Sequence, residues 1–379
     1  QRIKEAEKEL RSLARKKPVL AAEGTILFFR KLEPAVEQVD DSSGRMGGVI
    51  NRTIGKLLPI VAKAPADPEL RALWLEQLKE IAQGSEYWLY YSLSENWGNL
   101  CGTDESARFW LEEWQPRMEF SLQSPDFAGR STISYKMLFS TLERLGLWED
   151  IIRYCPDNDV FLRHFGLWKI RALAALGQVN GAVALADRLD NDQWVYRDFS
   201  TLAEGILRNS GRVDEAYTRY ALPRPVTGTY LAYFRRLKKD YPDRDPLSIL
   251  DDLINQHSDN PGAWFAASRR EGFRNHALEL ARNHPVNPPT LMKAADSLKE
   301  EDPRFAMEAA AAAIHWIVEG YGYEMDIRDF VEAWVLLRSI SEPVGYLSEW
   351  QERIQELITN RTERAFPWSN GELLSVLGI

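Results

Sequence analysis

The chain has 379 residues, 47 Lys and Arg against 56 Asp and Glu for a net charge of −9, and 45% hydrophobic residues. This composition excludes a disordered chain, and the acidic balance argues against nucleic acid as a partner, because such binding needs clustered cations to displace counterions. The length exceeds what one compact core fills, so the chain holds several domains or a repeat array whose core grows along one axis.

In chain order, almost every segment reads as helix, and runs alternating with period two are nearly absent. Residues 1–60 carry twelve Lys and Arg against eight Asp and Glu. Ile3 to Ala14 reads as a solvated helix followed by a basic turn at Arg15, Lys16 and Lys17. Glu23 to Val39 is apolar at helical spacing (Ile26, Leu27, Phe29, Leu32, Val36), and Asp40-Asp41-Ser42-Ser43-Gly44 stops it and caps the next element. Gly48 to Lys63 follows, with Ile50, Ile54, Leu57, Leu58 and Val61 on one face. Ala64-Pro65-Ala66-Asp67-Pro68 breaks the chain before Glu69 to Gln83, and Asp104 to Glu119 forms a further helix. The thirteen tryptophans read chiefly as wedges packed between hairpins, and Tyr87-Trp88-Leu89-Tyr90-Tyr91 reads as core.

From about Thr132 a repeat becomes legible. Glycines at 146, 177, 211 and 272 each follow one apolar run and precede another, in Leu145-Gly146-Leu147, Leu176-Gly177-Gln178, Gly211-Arg212-Val213-Asp214-Glu215-Ala216 and Gly272-Phe273-Arg274-Asn275-His276-Ala277. A glycine ending a helix adopts the left-handed conformation without steric cost and reverses the chain. The small residue five positions on (Ala182, Ala216, Ala277; Ile151 in the first unit) sets how closely the paired helices approach. Leu222-Pro223-Arg224-Pro225-Val226-Thr227-Gly228 is the best candidate break. Helices are then expected over Thr229 to Leu237, Leu247 to Gln256, Pro289 to Leu298, Asp302 to Gly320, Ile327 to Ile340 and Val344 to Asn360. The alanine run Ala309 to Ala313 marks a tight helix crossing, and the apolar tail Leu373 to Ile379 docks back or caps the last unit. The expected organisation is N-terminal helical hairpins over 1–130, repeats over 131–225, and further repeats with capping helices over 226–379, forming one continuous α-solenoid.

The Gly-x-x-x-x-Ala turns resemble tetratricopeptide repeats, whose period is roughly 34 residues. Gly211 to Tyr220 is the nearest match, with an aromatic four residues after its alanine. The resemblance covers the middle of the chain and departs from the family at the Trp-x-x-Leu-Gly opening and the closing proline. Asp40 to Gly44, Phe165 to Arg171 and Trp264 to Ala267 are similar, more faintly, to the helical region following a SWIM-type zinc finger in some bacterial proteins. The Cys-x-Cys and Cys-x-His ligands are missing, so no zinc role carries over. The tetratricopeptide resemblance implies an all-α fold that binds rather than transforms.

No catalytic motif stands out. The histidines at 164, 257, 276, 284 and 315 are scattered, and no metal set is expected. Gly44-Arg45-Met46-Gly47-Gly48 lacks the lysine of a phosphate loop and reads as a turn. Adjacent acids such as Glu112-Glu113 splay around a helix rather than pair for acid–base work. Cys101 and Cys155, the only cysteines, read as reduced thiols of a cytoplasmic protein. No stretch approaches the ~18 apolar residues of a membrane span, no signal segment is recognised, and the opening on Gln1 fits a fragment or a trimmed chain.

One constellation remains. In tetratricopeptide stacks the first helix of each pair lines a concave groove, at positions counted back from the turn glycine. That resemblance implies a groove bearing Lys136, Arg144, His164, Arg171, Arg208, Asn209, Arg269 and Arg270. Paired guanidinium donors match both oxygens of a carboxylate, so the implied partner is a protein or acidic peptide. The competing reading pairs these arginines with neighbouring acids such as Glu143 or Asp187. The expected function is a non-catalytic, cofactor-free scaffold. The alternatives are a nucleic-acid accessory protein using Arg11, Arg15, Lys16 and Lys17, or the non-catalytic part of a larger enzyme.

Overall fold

The computed structural model describes residues 2–36, 45–84, 91–122, 132–192, 198–361 and 368–378, and these are helical throughout, with no strand among them. They divide into two compact units, Gln1–Arg212 and Val213–Ile379. The division falls just after Gly211.

The first unit begins with α1 (Arg2–Ala14), α2 (Pro18–Val36), α3 (Arg45–Lys63) and α4 (Pro68–Gly84). α2 starts earlier than its apolar pattern announces, because Pro18 fits the first helical turn, where no backbone N–H is needed. Residues 45–48, expected as a turn, are instead the first turn of α3; the Asp40–Gly44 cap lies outside the described residues. α5 (Tyr91–Glu95) and α6 (Trp97–Leu100) are short, and both pack on α8 (Thr132–Leu145), as does the long α7 (Asp104–Leu122). Trp97, Trp110 and Trp114 meet here with ring centroids 5.1–5.4 Å apart. All three are buried, as are Trp74, Trp168, Trp264, Trp334 and Trp350. Tryptophan is thus mainly a packing residue in this fold. The aromatic run from Tyr87 lies outside the residues whose side chains are described.

Hairpins follow: α8 with α9 (Trp148–Tyr154), then α10 (Asp159–Ala175) with α11 (Val179–Asp190), then α12 (Ser200–Asn209). In the second unit come α13 (Val213–Ala216), a π-helical turn at Tyr217–Ala221, α14 (Tyr230–Asp240), α15 (Pro246–Gln256), a tight turn at Pro261–Trp264, α16 (Phe265–Arg270) and α17 (Arg274–Asn283). α18 (Pro288–Leu298), α19 (Pro303–Val318), α20 (Ile327–Ser341), α21 (Leu347–Asn360) and α22 (Asn370–Leu377) complete it.

The glycine turns share one backbone closure. Gly146, Gly177, Gly211 and Gly272 have φ between 68° and 90°. The residue after each donates its N–H to a carbonyl five back: Leu147 to Leu142 at 3.0 Å, Gln178 to Leu173 at 2.8 Å, Arg212 to Leu207 and Phe273 to Ser268 at 2.9 Å. This is the Schellman arrangement, which satisfies carbonyls that a helix end leaves bare. Ile151, Ala182, Ala216 and Ala277 are fully buried, at the positions the pattern marks. Two further turns, at Gly320 and Gly345, close the same way through Tyr321 to Trp316 at 2.8 Å and Tyr346 to Ser341 at 3.0 Å. Neither is followed by the Gly-x-x-x-x-Ala spacing, so the sequence pattern passes over them.

α19 is the axis of the second core. Ala309, Ala310, Ala312 and Ala313 are buried between α18 and α20, so the alanine run is a close helix crossing. Leu373 and Leu377 of α22 join the same core, and Gln351 Nε2 donates to the Leu377 carbonyl at 3.0 Å. The apolar tail therefore docks back.

Candidate functional site

In the first unit the cations of the expected groove sit on α8, α10 and α12, and several are already engaged. Lys136 is buried, with its Nζ 3.3 Å from Glu95 Oε1. Arg144 donates to the Gly102 carbonyl at 2.9 Å and lies 3.2 Å from Asp104 Oδ1. Arg171 Nη1 reaches both oxygens of Glu143, at 3.0 and 3.1 Å. That pair fastens α10 to α8, the role the competing sequence reading assigned it. His164 is exposed beside Phe165. Desolvation of the part of its ring that neighbouring protein covers, then Lys136 and Arg163, hold it below the ordinary imidazole value. Arg208 is partly buried and partnered, and Asn209 is exposed.

In the second unit, Arg269 and Arg270 end α16. Arg269 Nη1 donates to Ser297 Oγ of α18 at 3.0 Å, and its Nε is shielded from solvent without a partner. Burial, then Arg270, then Arg274, lower its pKa. Arg274 itself pairs with Glu301 and with Asp302 at 3.0 Å. Among the described residues no carboxylate pairs with Arg269 or Arg270. Helix C-termini favour cations through the backbone dipole, which places arginines here, but two adjacent guanidiniums still leave unbalanced charge.

The neighbouring acid is consumed elsewhere. Glu271 accepts from Arg235 Nε at 2.6 Å and Lys238 Nζ at 2.8 Å, joining α14 to the turn after α16, and its side chain is 8% exposed. Burial pushes this carboxyl upward, but Lys238 and Arg235 together outweigh it and hold it below the ordinary value. A depressed carboxylate stabilises the fold above its unfolded pKa and loses that contribution as pH falls through the folded value. Glu271→Gln should therefore destabilise the protein by on the order of 1 kcal/mol at neutral pH, the partners being partly solvent-screened. Urea melts of both proteins should converge as the pH drops below the ordinary carboxylate range. A gap that persists there would show that the loss is not electrostatic.

Sequence reading missed Arg71. It lies on α4 in register with Trp74, Leu75 and Leu78, and an arginine on an apolar stripe was the available signal. It is buried, and it donates from Nη1 to the carbonyls of Val61 at 2.7 Å and Leu100 at 3.3 Å, and from Nη2 to that of Ala64 at 2.6 Å. Burial lowers its pKa, and Cys101 partly offsets this. Beside it lies a 510 Å³ cavity walled by the end of α3, α4 and the start of α7.

Burial pushes the Cys101 and Cys155 thiols up to about 12, so both are protonated and unsuited to nucleophilic work. Among the described residues no cluster of three or more His, Cys, Asp or Glu could hold a metal ion, and no helix is long and apolar enough to cross a membrane. No family model, curated protein or solved structure matches the chain.

Proposed function

We propose that the chain is a non-catalytic helical-repeat scaffold of the α-solenoid kind, and that it takes an acidic peptide segment of a protein partner at Arg269 and Arg270. The observation that supports this is the pairing state of the cations. Lys136, Arg144 and Arg171 are each matched to a carboxylate within the first unit, whereas Arg269 and Arg270 adjoin one another, and among the described residues Arg269 has Ser297 Oγ and no carboxylate. Carboxylates along an acidic peptide would relieve the mutual repulsion and find planar donors on each side chain in turn. The glycine-closed hairpins present such residues from helices, which hold a site more firmly than loops do.

The expected result is saturable binding of Glu- and Asp-rich peptides to the intact chain, measured by fluorescence anisotropy. Arg269→Glu/Arg270→Glu should reduce affinity by about 100-fold, or ~2.7 kcal/mol. Charge reversal at Arg171 should have little effect on binding, because Glu143 already occupies it. Equal loss from Arg171→Glu in a folded protein, or no loss from the double reversal, would overturn the assignment.

A further inference from the structure

We propose that the cavity beside Arg71 binds a small carboxylate bearing an apolar tail. The site lies wholly within the first unit and is independent of Arg269 and Arg270. Its volume of 510 Å³ falls within the ~300–1,000 Å³ of small-molecule sites. Pro65 and Pro68 form one wall, and Phe109 and Trp110 of α7 form another. Phe109 is 61% exposed although its ring stands edge-on to Trp110 at 5.6 Å. An aromatic displayed at a cavity edge contributes apolar area to whatever enters.

The charged part of the lining is mainly cationic. Arg71 reaches the cavity from a buried position, and Lys63 lines both this cavity and an adjoining one of 420 Å³. Among the described residues no carboxylate pairs with either. Glu105 is the acid in the wall, so the described lining retains net positive charge. Gly102 fits this arrangement, since a methyl group there would lie 3.2 Å from Arg71 Nε. The glycine leaves space beside the guanidinium edge that a side chain would fill. Backbone carbonyls at two helix ends hold Arg71 in place with partial charges, and a full negative charge from a ligand would complete its neutralisation. A lining that combines these cations with aromatic and proline surface favours an amphipathic anion over a sugar or a cation.

The test uses the intact chain and its own fluorescence, because Trp110 lines the cavity and packs against Trp97 and Trp114. Hydrocinnamate and octanoate are titrated alongside hydrocinnamyl alcohol and octanol, with calorimetry as the second readout. The carboxylates should bind saturably and about tenfold or more tighter than the matched alcohols, a difference of ~1.4 kcal/mol. Lys63→Glu should weaken only the carboxylates, and Phe109→Ala should weaken acids and alcohols alike. Both side chains are exposed, so folding survives, as circular dichroism would verify. Equal affinity for acid and alcohol, the absence of saturation at millimolar concentration, or unchanged binding by both variants would overturn the proposal.

Discussion

Gly262→Ala is expected to destabilise the second unit by about 3 kcal/mol or more, the severe end of overpacking effects. Gly262 lies in the tight turn Pro261–Trp264 ahead of α16, and a Cβ there would sit 2.0 Å from the Pro285 carbonyl oxygen, 2.8 Å from its carbon and 3.1 Å from Val286 Cγ2. Those distances are far inside van der Waals contact, and the obstacle is backbone, which cannot rotate away. Relief requires the turn and the Pro285–Val286 segment to separate. Trp264, Phe265 and Val286 are all buried at this junction, so separation opens the core. The first unit offers a parallel case in Gly98, where a Cβ would meet the Ser140 carbonyl oxygen at 2.2 Å. Gly98 N–H also donates to Ser140 Oγ at 3.0 Å, which depends on the same close approach. Gly205 is the control: it lies within α12 with nothing within 4 Å of its would-be Cβ. Gly205→Ala should be neutral or stabilising by up to ~1 kcal/mol, the helix-interior preference. Urea melts read by circular dichroism and tryptophan fluorescence would separate the three. A Gly262→Ala protein within about 0.5 kcal/mol of wild type would mean that the turn and the Pro285 segment are not held together as described.

These glycines mark the boundary of what the sequence discloses. The turns at Gly146, Gly177, Gly211 and Gly272 were legible because a local rule governs them: an apolar run ends, the chain needs positive φ, and a small residue follows at fixed spacing. Gly98 and Gly262 obey no local rule. Each is small because a distant backbone segment lies against it, and neither Ser140 nor Pro285 signals that in one dimension. The same distinction divides the cations. Lys136, Arg144 and Arg171 were found by counting back from glycines, which locates a position on a helix but not its neighbours. Their acids, Glu95 of α5, Asp104 of α7 and Glu143 of α8, come from earlier helices and convert three of the expected binding residues into ties between elements. The helix starts at Pro18 and Arg45 show a smaller version of this limit: apolar spacing finds the buried middle of a helix better than its first turn.

Arg71→Leu is the second large effect, expected to destabilise the first unit by ~3–5 kcal/mol, as when a buried cation is taken from its partners. Leucine keeps the first carbons of the stem, while the stacking of the guanidinium carbon 5.2 Å from the Trp74 ring centre is lost with the charge. What disappears is the guanidinium's bonding to three carbonyls, of which that of Val61 keeps a second, longer partner in the Ala64 N–H at 3.4 Å. Val61 and Ala64 belong to the end of α3, and Leu100 ends α6; the last carbonyls of a helix have no partner within it. One planar group therefore closes two helices and fixes the break at Pro65 against the turn at Gly102. Each buried carbonyl left bare costs about 1–3 kcal/mol. Water from the neighbouring cavity recovers part of that, which is why the total falls below the simple sum. Arg71→Lys separates charge from geometry. It keeps a cation near both helix ends but supplies no fork, so it should recover less than half of the loss. Hydrogen exchange at the amides of α3 and α6 would rise in both variants, and more in Arg71→Leu. If Arg71→Lys were as stable as wild type, the charge alone would hold the junction and the three-carbonyl geometry would be incidental. If Arg71→Leu were also unaffected, the ends of α3 and α6 would be closed by solvent, and the guanidinium would be free to serve a ligand alone.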